Sequence, residues 1–269
     1  MIARCAVQAA FPILLILGFA RGQAVPPPQK FDVASVKAYG VQDGNFMVRS
    51  QPDGTFRAVG ATLKMLVMTA YDVKAFQVFN APGWTGTELW EIQAKADASG
   101  GRPSRADVQA RVRALLEERY QLKVHRERRT MPVYALVVAK SSGIRMTVAT
   151  SNEQPGICPC GPASLTPNPA SMAMLADLLS TRLWRVVIDK TGIKGEYAFK
   201  LAWTPMPNEY GPEALGLPPG TGNSPPPDGA NAGPSIFTAL KEQLGLRLDS
   251  QKGPVEVIVI DRVERPSEN

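Results

Sequence analysis

The sequence predicts an α+β fold: repeated helix-plus-β-hairpin units, antiparallel sheets covered by helices, in two pseudo-repeated halves. Three observations lead there. Apolar residues recur four times at helical spacing, each time behind a Ser or Thr positioned as a cap. Each stripe is followed by residues alternating with a period of two, as in half-buried strands. Finally, 44% hydrophobic and 20% charged residues suffice for an ordinary core.

The first stripe opens at Thr62 and runs through Leu63, Leu66, Val67, Ala70 and Tyr71. Phe76 to Phe79 reads as a strand, Pro82-Gly83 as a turn, and Trp90, Ile92 and Ala94 as the inward face of the return strand. The second opens at Ser104, with Asp107 completing a capping box, and carries Val108, Val112, Leu115, Leu116 and Tyr120. Its hairpin is expected from Leu122 and Val124, through Met131-Pro132, to Val133–Val138. The third starts at Ser171, with Met172, Leu175, Leu178 and Leu179, then Trp184 to Asp189, a turn at Thr191-Gly192, and Tyr197, Phe199, Leu201 and Trp203. The fourth starts at Ser235 with Ile236, Phe237, Leu240 and Leu244. Gly245 stops it, and Leu246 and Leu248 are expected to pair with Val255–Ile260 across Lys252-Gly253-Pro254. Extra strands are expected at Phe31–Lys37 and Thr55–Val59.

A helix followed by a hairpin cannot bury its own apolar face, so the units must pack together. The expected organisation is a signal peptide over 1–24, a first half over 25–150, a linker over 151–170 and a second half over 171–269. A Pro/Gly-rich insertion interrupts the second half at 204–233. Arg4 precedes the apolar run Cys5 to Ala20, which is shorter than the ~20 residues of a membrane-spanning helix. Small residues at Ala20, Gly22 and Ala24 offer cleavage positions, so the mature chain is expected to be exported, periplasmic or secreted, without a membrane span. Cleavage removes Arg4 and Arg21 and lowers the formal charge of +6 by two.

Catalytic signatures are sparse. There is no G-x-S-x-G elbow, no phosphate-binding loop and no H-E-x-x-H. Lys190-Thr191-Gly192 lacks the companion S-x-x-K and reads as a turn. Cys158 and Cys160 form a candidate disulfide or thiol site; two sulfurs and the single histidine fall short of a zinc site, so neither metal nor cofactor is expected. The local anomaly is basic. Arg102, Arg105, Arg111, Arg113, Arg119, Lys123, Arg126, Arg128 and Arg129 outnumber nearby acids, and Arg105, Arg113, Arg119, Lys123 and His125 are the candidate partner-binding face.

Phe31–Lys37, Ala70-Tyr71, Pro82-Gly83-Trp84, Leu115–His125, Met131–Lys140, Asp189–Gly192 and Gly253 to Asn269 resemble, in order, a family of exported, soil-associated bacterial proteins. That family is a domain of unknown function with many paralogues, and it supplies no catalytic residue to carry over. Some of its members look attached to membrane metallopeptidases of the antibiotic-sensor type. The expected function is therefore a non-enzymatic binding module with an envelope or extracellular partner, acidic and not nucleic acid. The alternatives are a polymer hydrolase built on two carboxylates distant in sequence, and a sensor accessory of an envelope metallopeptidase.

Overall fold

The computed structural model describes residues 30–40, 46–96, 102–140, 143–149, 157–158, 164–167, 169–204, 216–218 and 233–266. The segment expected as a signal peptide and Cys160 lie outside them.

The fold is α+β, with four α-helices and mostly antiparallel sheets among the described residues. Strands β1 (Val33–Ala38), β2 (Met47–Ser50), β3 (Thr55–Thr62) and β5 (Leu89–Lys95) form one sheet in the order β1-β5-β3-β2. Trp90, Ile92 and Ala94 face inward, as their alternation predicts. Helix α1 (Leu63–Tyr71) follows β3 directly, and α2 (Arg105–Arg119) follows β5. These two helices pack with the sheet in a first apolar cluster containing Val36, Phe56, Leu66, Val112, Leu116 and Tyr120. Helices α3 (Met172–Arg182) and α4 (Ile236–Ala239, extended by a π-turn over Leu240–Leu244) build a second cluster with Leu165, Leu201 and Trp203.

The expected caps are all present. Thr62, Ser104, Ser171 and Ser235 each accept from the backbone N–H three residues on, and Asp107 returns a bond to Ser104 N. Each cap satisfies a donor that the helix start leaves orphaned.

The expected hairpins are not present, and that is the main correction. β6 runs unbroken from Lys123 to Val138 and β13 from Leu246 to Arg262, pairing with each other in one long antiparallel ladder. Met131-Pro132 and Lys252-Gly253-Pro254, expected as turns, lie in its centre, with Lys252 opposite Pro132 and Pro254 opposite Thr130. The remaining two hairpins are replaced by parallel additions. β4 (Val78–Phe79) joins β13, and β10 (Val187–Asp189) joins β6, giving the order β10-β6-β13-β4. After β10, the Lys190-Thr191-Gly192 turn is tied by the Asp189 carboxylate to Thr191 N and Oγ1. The strands beyond it pair elsewhere: β11 (Tyr197–Ala198) with β7 (Thr147–Val148), and β12 (Leu201–Ala202) with β9 (Ser164–Pro167). β9 also pairs with β8 (Ile157–Cys158), so the expected linker contributes strands, Cys158 among them.

Prolines survive mid-ladder because of which way their nitrogens point. Tyr134 N bonds outward to Val186 O, and the Glu256 carbonyl accepts outward from Gln77 Nε2. Even-numbered residues of both strands therefore aim their backbone groups away from the ladder, and Pro132 and Pro254 are even. Neither removes a β6–β13 bond, and both deny a donor to any strand approaching the outer edges.

The pleat sorts the ladder's faces. On the even face, one end (Val124, Ile258, Ile260) enters the first cluster and the other (Leu136, Val138, Leu246, Leu248) enters the second. On the odd face, Val133, Val255, Val257 and Val259 make a third cluster with Phe79, Met131, Val186 and Ile188. One pair of strands thus spans both helical cores.

The first core holds two polar atoms without hydrogen-bond partners among the described residues, Tyr120 Oη and Trp90 Nε1, on rings meeting edge-on at 5.6 Å. Burial pushes the Tyr120 phenol far above its ordinary pKa. Leaving a buried hydroxyl unsatisfied costs about 1–3 kcal/mol, so Tyr120→Phe is expected to leave stability unchanged or raise it by about 1 kcal/mol. Thermal unfolding checks this, and a loss above about 1 kcal/mol would reveal a bound water or other partner.

Candidate functional site

Between the two buried ends of the even face lies a stretch that no described helix covers. Arg126, Arg128, Thr130 and Pro132 of β6 and Ser250, Lys252, Pro254 and Glu256 of β13 are all exposed. They form a strip roughly 20 Å long, with successive side chains on each strand roughly 7 Å apart. Glu256 is the one carboxylate among the eight, and it pairs with Arg126. Arg128 and Lys252 have no ion-pair partner among the described residues. Arg185 borders the strip: its guanidinium stacks 4.5 Å from the Tyr134 ring centroid and its Nη1 donates to Ser250 Oγ at 3.3 Å. Tyr134 in turn meets Phe237 edge-on at 5.6 Å, so this cation stands on a packed aromatic base.

The five cations singled out from the sequence do not form one surface. α2 packs with the even face, whereas the pleat turns Lys123 and His125 to the odd face. Arg105 pairs with Asp72, just past the end of α1. Arg113 donates to Ala70 O at 3.2 Å and lies 5.8 Å from the Tyr71 ring. Arg119 donates to Ala34 O at 3.2 Å. Arg105 and Arg113 thus sit at the C-terminus of α1, where a cation favours the helix dipole. His125 Nδ1 meets Asp261 Oδ1 at 2.8 Å. Further along the odd face, the Arg129 guanidinium bonds Glu127 and holds that carboxyl below its usual pKa, while stacking 4.3 Å from the Phe79 ring centroid. Arg126 and Arg128 belong to the basic cluster visible in the sequence. Lys252 joins their face only through the ladder register, and Arg185 only through the pairing of β10 with β6.

A groove of about 350 Å³ lies where α1's exit meets α3 and β10, lined by Asp72, Lys74, Gln77, Asp177, Ser180 and Asp189, among others. Its three carboxylates are each engaged locally: Asp72 with Arg105, Asp177 with Lys74 at 2.7 Å, Asp189 with Thr191. Among the described residues, no three His, Cys, Asp or Glu side chains cluster as metal ligands, and no helix is long and apolar enough to cross a membrane.

The fold and the strip together define an α+β protein with an exposed basic face on its central ladder. The chain belongs to the DUF3738 family, described as proteins of unknown function, whose model matches residues 64–263. No curated protein and no solved structure matches it. The matched span takes in α1, α2, both ladder strands and the strip.

Proposed function

We propose that the protein is an exported, non-enzymatic binding module of the cell envelope or extracellular space, and that the central strip takes an extended anionic partner. One observation carries this. A ladder buried at both ends of one face leaves its middle open, and along it Arg126, Arg128 and Lys252, with Arg185 adjoining, outnumber a single carboxylate. Exposed cations on a two-stranded floor attract anions. The strip is linear, which suits a chain-like ligand better than a compact one. The hydrolase alternative would need two carboxylates flanking a substrate across a cleft, and the three aspartates lining the groove are each engaged in a local contact.

In-cell cross-linking of the tagged protein, followed by mass spectrometry, tests the reading. An acidic envelope or extracellular component should be captured by the wild type and lost from the triple variant Arg126→Glu, Arg128→Glu, Lys252→Glu. Equal capture by both would rule out the strip as the binding face, and capture of a membrane metallopeptidase would favour the sensor-accessory alternative.

A further inference from the structure

Residues 216–218 fall within the Pro/Gly-rich insertion, yet they dock on the first turn of α1. Thr62 Oγ1 donates to the Gly216 carbonyl at 2.5 Å, and the same oxygen accepts from Met65 N at 3.2 Å as the helix cap. Thr62 is fully buried and Leu217 is 5% exposed. Gly216 has φ +74°, and a Cβ there would stand 3.0 Å from Met68 Sδ and 3.1 Å from Met65 Cγ. At one place, therefore, a hydroxyl reads a backbone carbonyl, a left-handed backbone position favours glycine, and the leucine that follows is buried. Two methionines in the wall give the seat an adaptable lining.

We propose that the start of α1, formed by Thr62, Met65 and Met68, is a binding seat for a short peptide of the Gly-Leu-Pro type, filled in cis by the chain's own residues 216–218. The contact is small, with one hydrogen bond and one buried leucine as its main parts. Tethering stabilises such a contact through an effective concentration on the order of millimolar. That effective concentration already contains the loop-closure entropy, which grows only logarithmically with loop length. A free peptide therefore competes poorly with the intact strap and binds once the strap is disabled.

The test uses the full chain carrying Leu217→Asp, because a carboxylate cannot occupy the buried leucine position unpaired. Hydrogen exchange at the first-turn amides of α1 should rise at least about tenfold, while the β6–β13 ladder amides stay protected and report an intact fold. A dye-labelled peptide spanning residues 213–221 should bind this variant saturably and the wild type not at all, and the same peptide with Gly216→Val should bind neither. Unchanged exchange at α1, or faster exchange without peptide binding, overturns the proposal. Should Leu217→Asp fail to fold, Leu217→Ala replaces it in both measurements, with the same results expected and the same results overturning the proposal.

Discussion

Leu136→Ala is expected to lower the free energy of unfolding by about 2–5 kcal/mol, the range for truncating a fully buried leucine. Leu136 has no exposed surface, packs in the second apolar cluster, and lies opposite Leu248 in the ladder. Its carbonyl also accepts from Lys190 N at 2.9 Å, so the turn after β10 hangs on the same residue. The diagnostic feature is where the loss is felt. β6 continues from Leu136 to Val124 in the first cluster, and β13 carries Leu246 at one end and Ile258 and Ile260 at the other. Trp90 reports on the first core and Trp203 on the second. Urea unfolding of variants whose single remaining tryptophan of the four is Trp90 or Trp203 should show both midpoints falling together. A midpoint at Trp90 that stays in place while that at Trp203 drops would mean the ladder does not couple the two cores.

Gly245→Ala should be the most damaging glycine substitution of those with described surroundings, and Gly143→Ala isolates why. Both residues have left-handed φ, +73° and +62°, so both pay the conformational strain of about 1–2 kcal/mol. A Cβ at Gly143 meets nothing within 4 Å among the described residues, whereas one at Gly245 would lie 1.7 Å from Gly143 O. Gly245 closes the helix turn through its N–H to Leu240 O, and Arg145 N bonds Leu244 O at 3.1 Å, pinning the 143–145 segment against the helix end. The segment must therefore be driven off, with a total loss on the order of 3–5 kcal/mol against about 1 for Gly143→Ala. Denaturation midpoints check both. Equal effects would show that the segment yields freely and that strain alone decides.

The parts of this fold that were legible in the sequence are those written locally. A Ser or Thr cap and the apolar positions behind it sit within one or two turns, so Thr62, Ser104, Ser171 and Ser235 announce their helices directly. The hairpins misled because turn chemistry and mid-strand proline look alike in one dimension. Pro132 and Lys252-Gly253-Pro254 mimic loops, and strands of 16 and 17 residues lie far beyond the usual length of about 5–6. Which prolines a ladder tolerates depends on which strand edge their nitrogens face, a property of register between segments far apart in the chain. The strip was half visible for the same reason. Arg126 and Arg128 alternate within one strand, but Lys252 and Arg185 join the same strip only through pairing between distant segments. The cations of α2 look equivalent in sequence, and three of them prove to clamp Asp72 and two backbone carbonyls.

The strip's role is tested most directly by titrating a dye-labelled polyphosphate with the wild-type chain and with the Arg126→Glu, Arg128→Glu, Lys252→Glu variant, at several salt concentrations. The wild type should bind with an affinity that falls steeply with salt, and the variant should bind about 10–100-fold more weakly with a shallower salt dependence. The same affinity and the same salt slope in both chains would contradict the assignment of this face as the anion-binding surface.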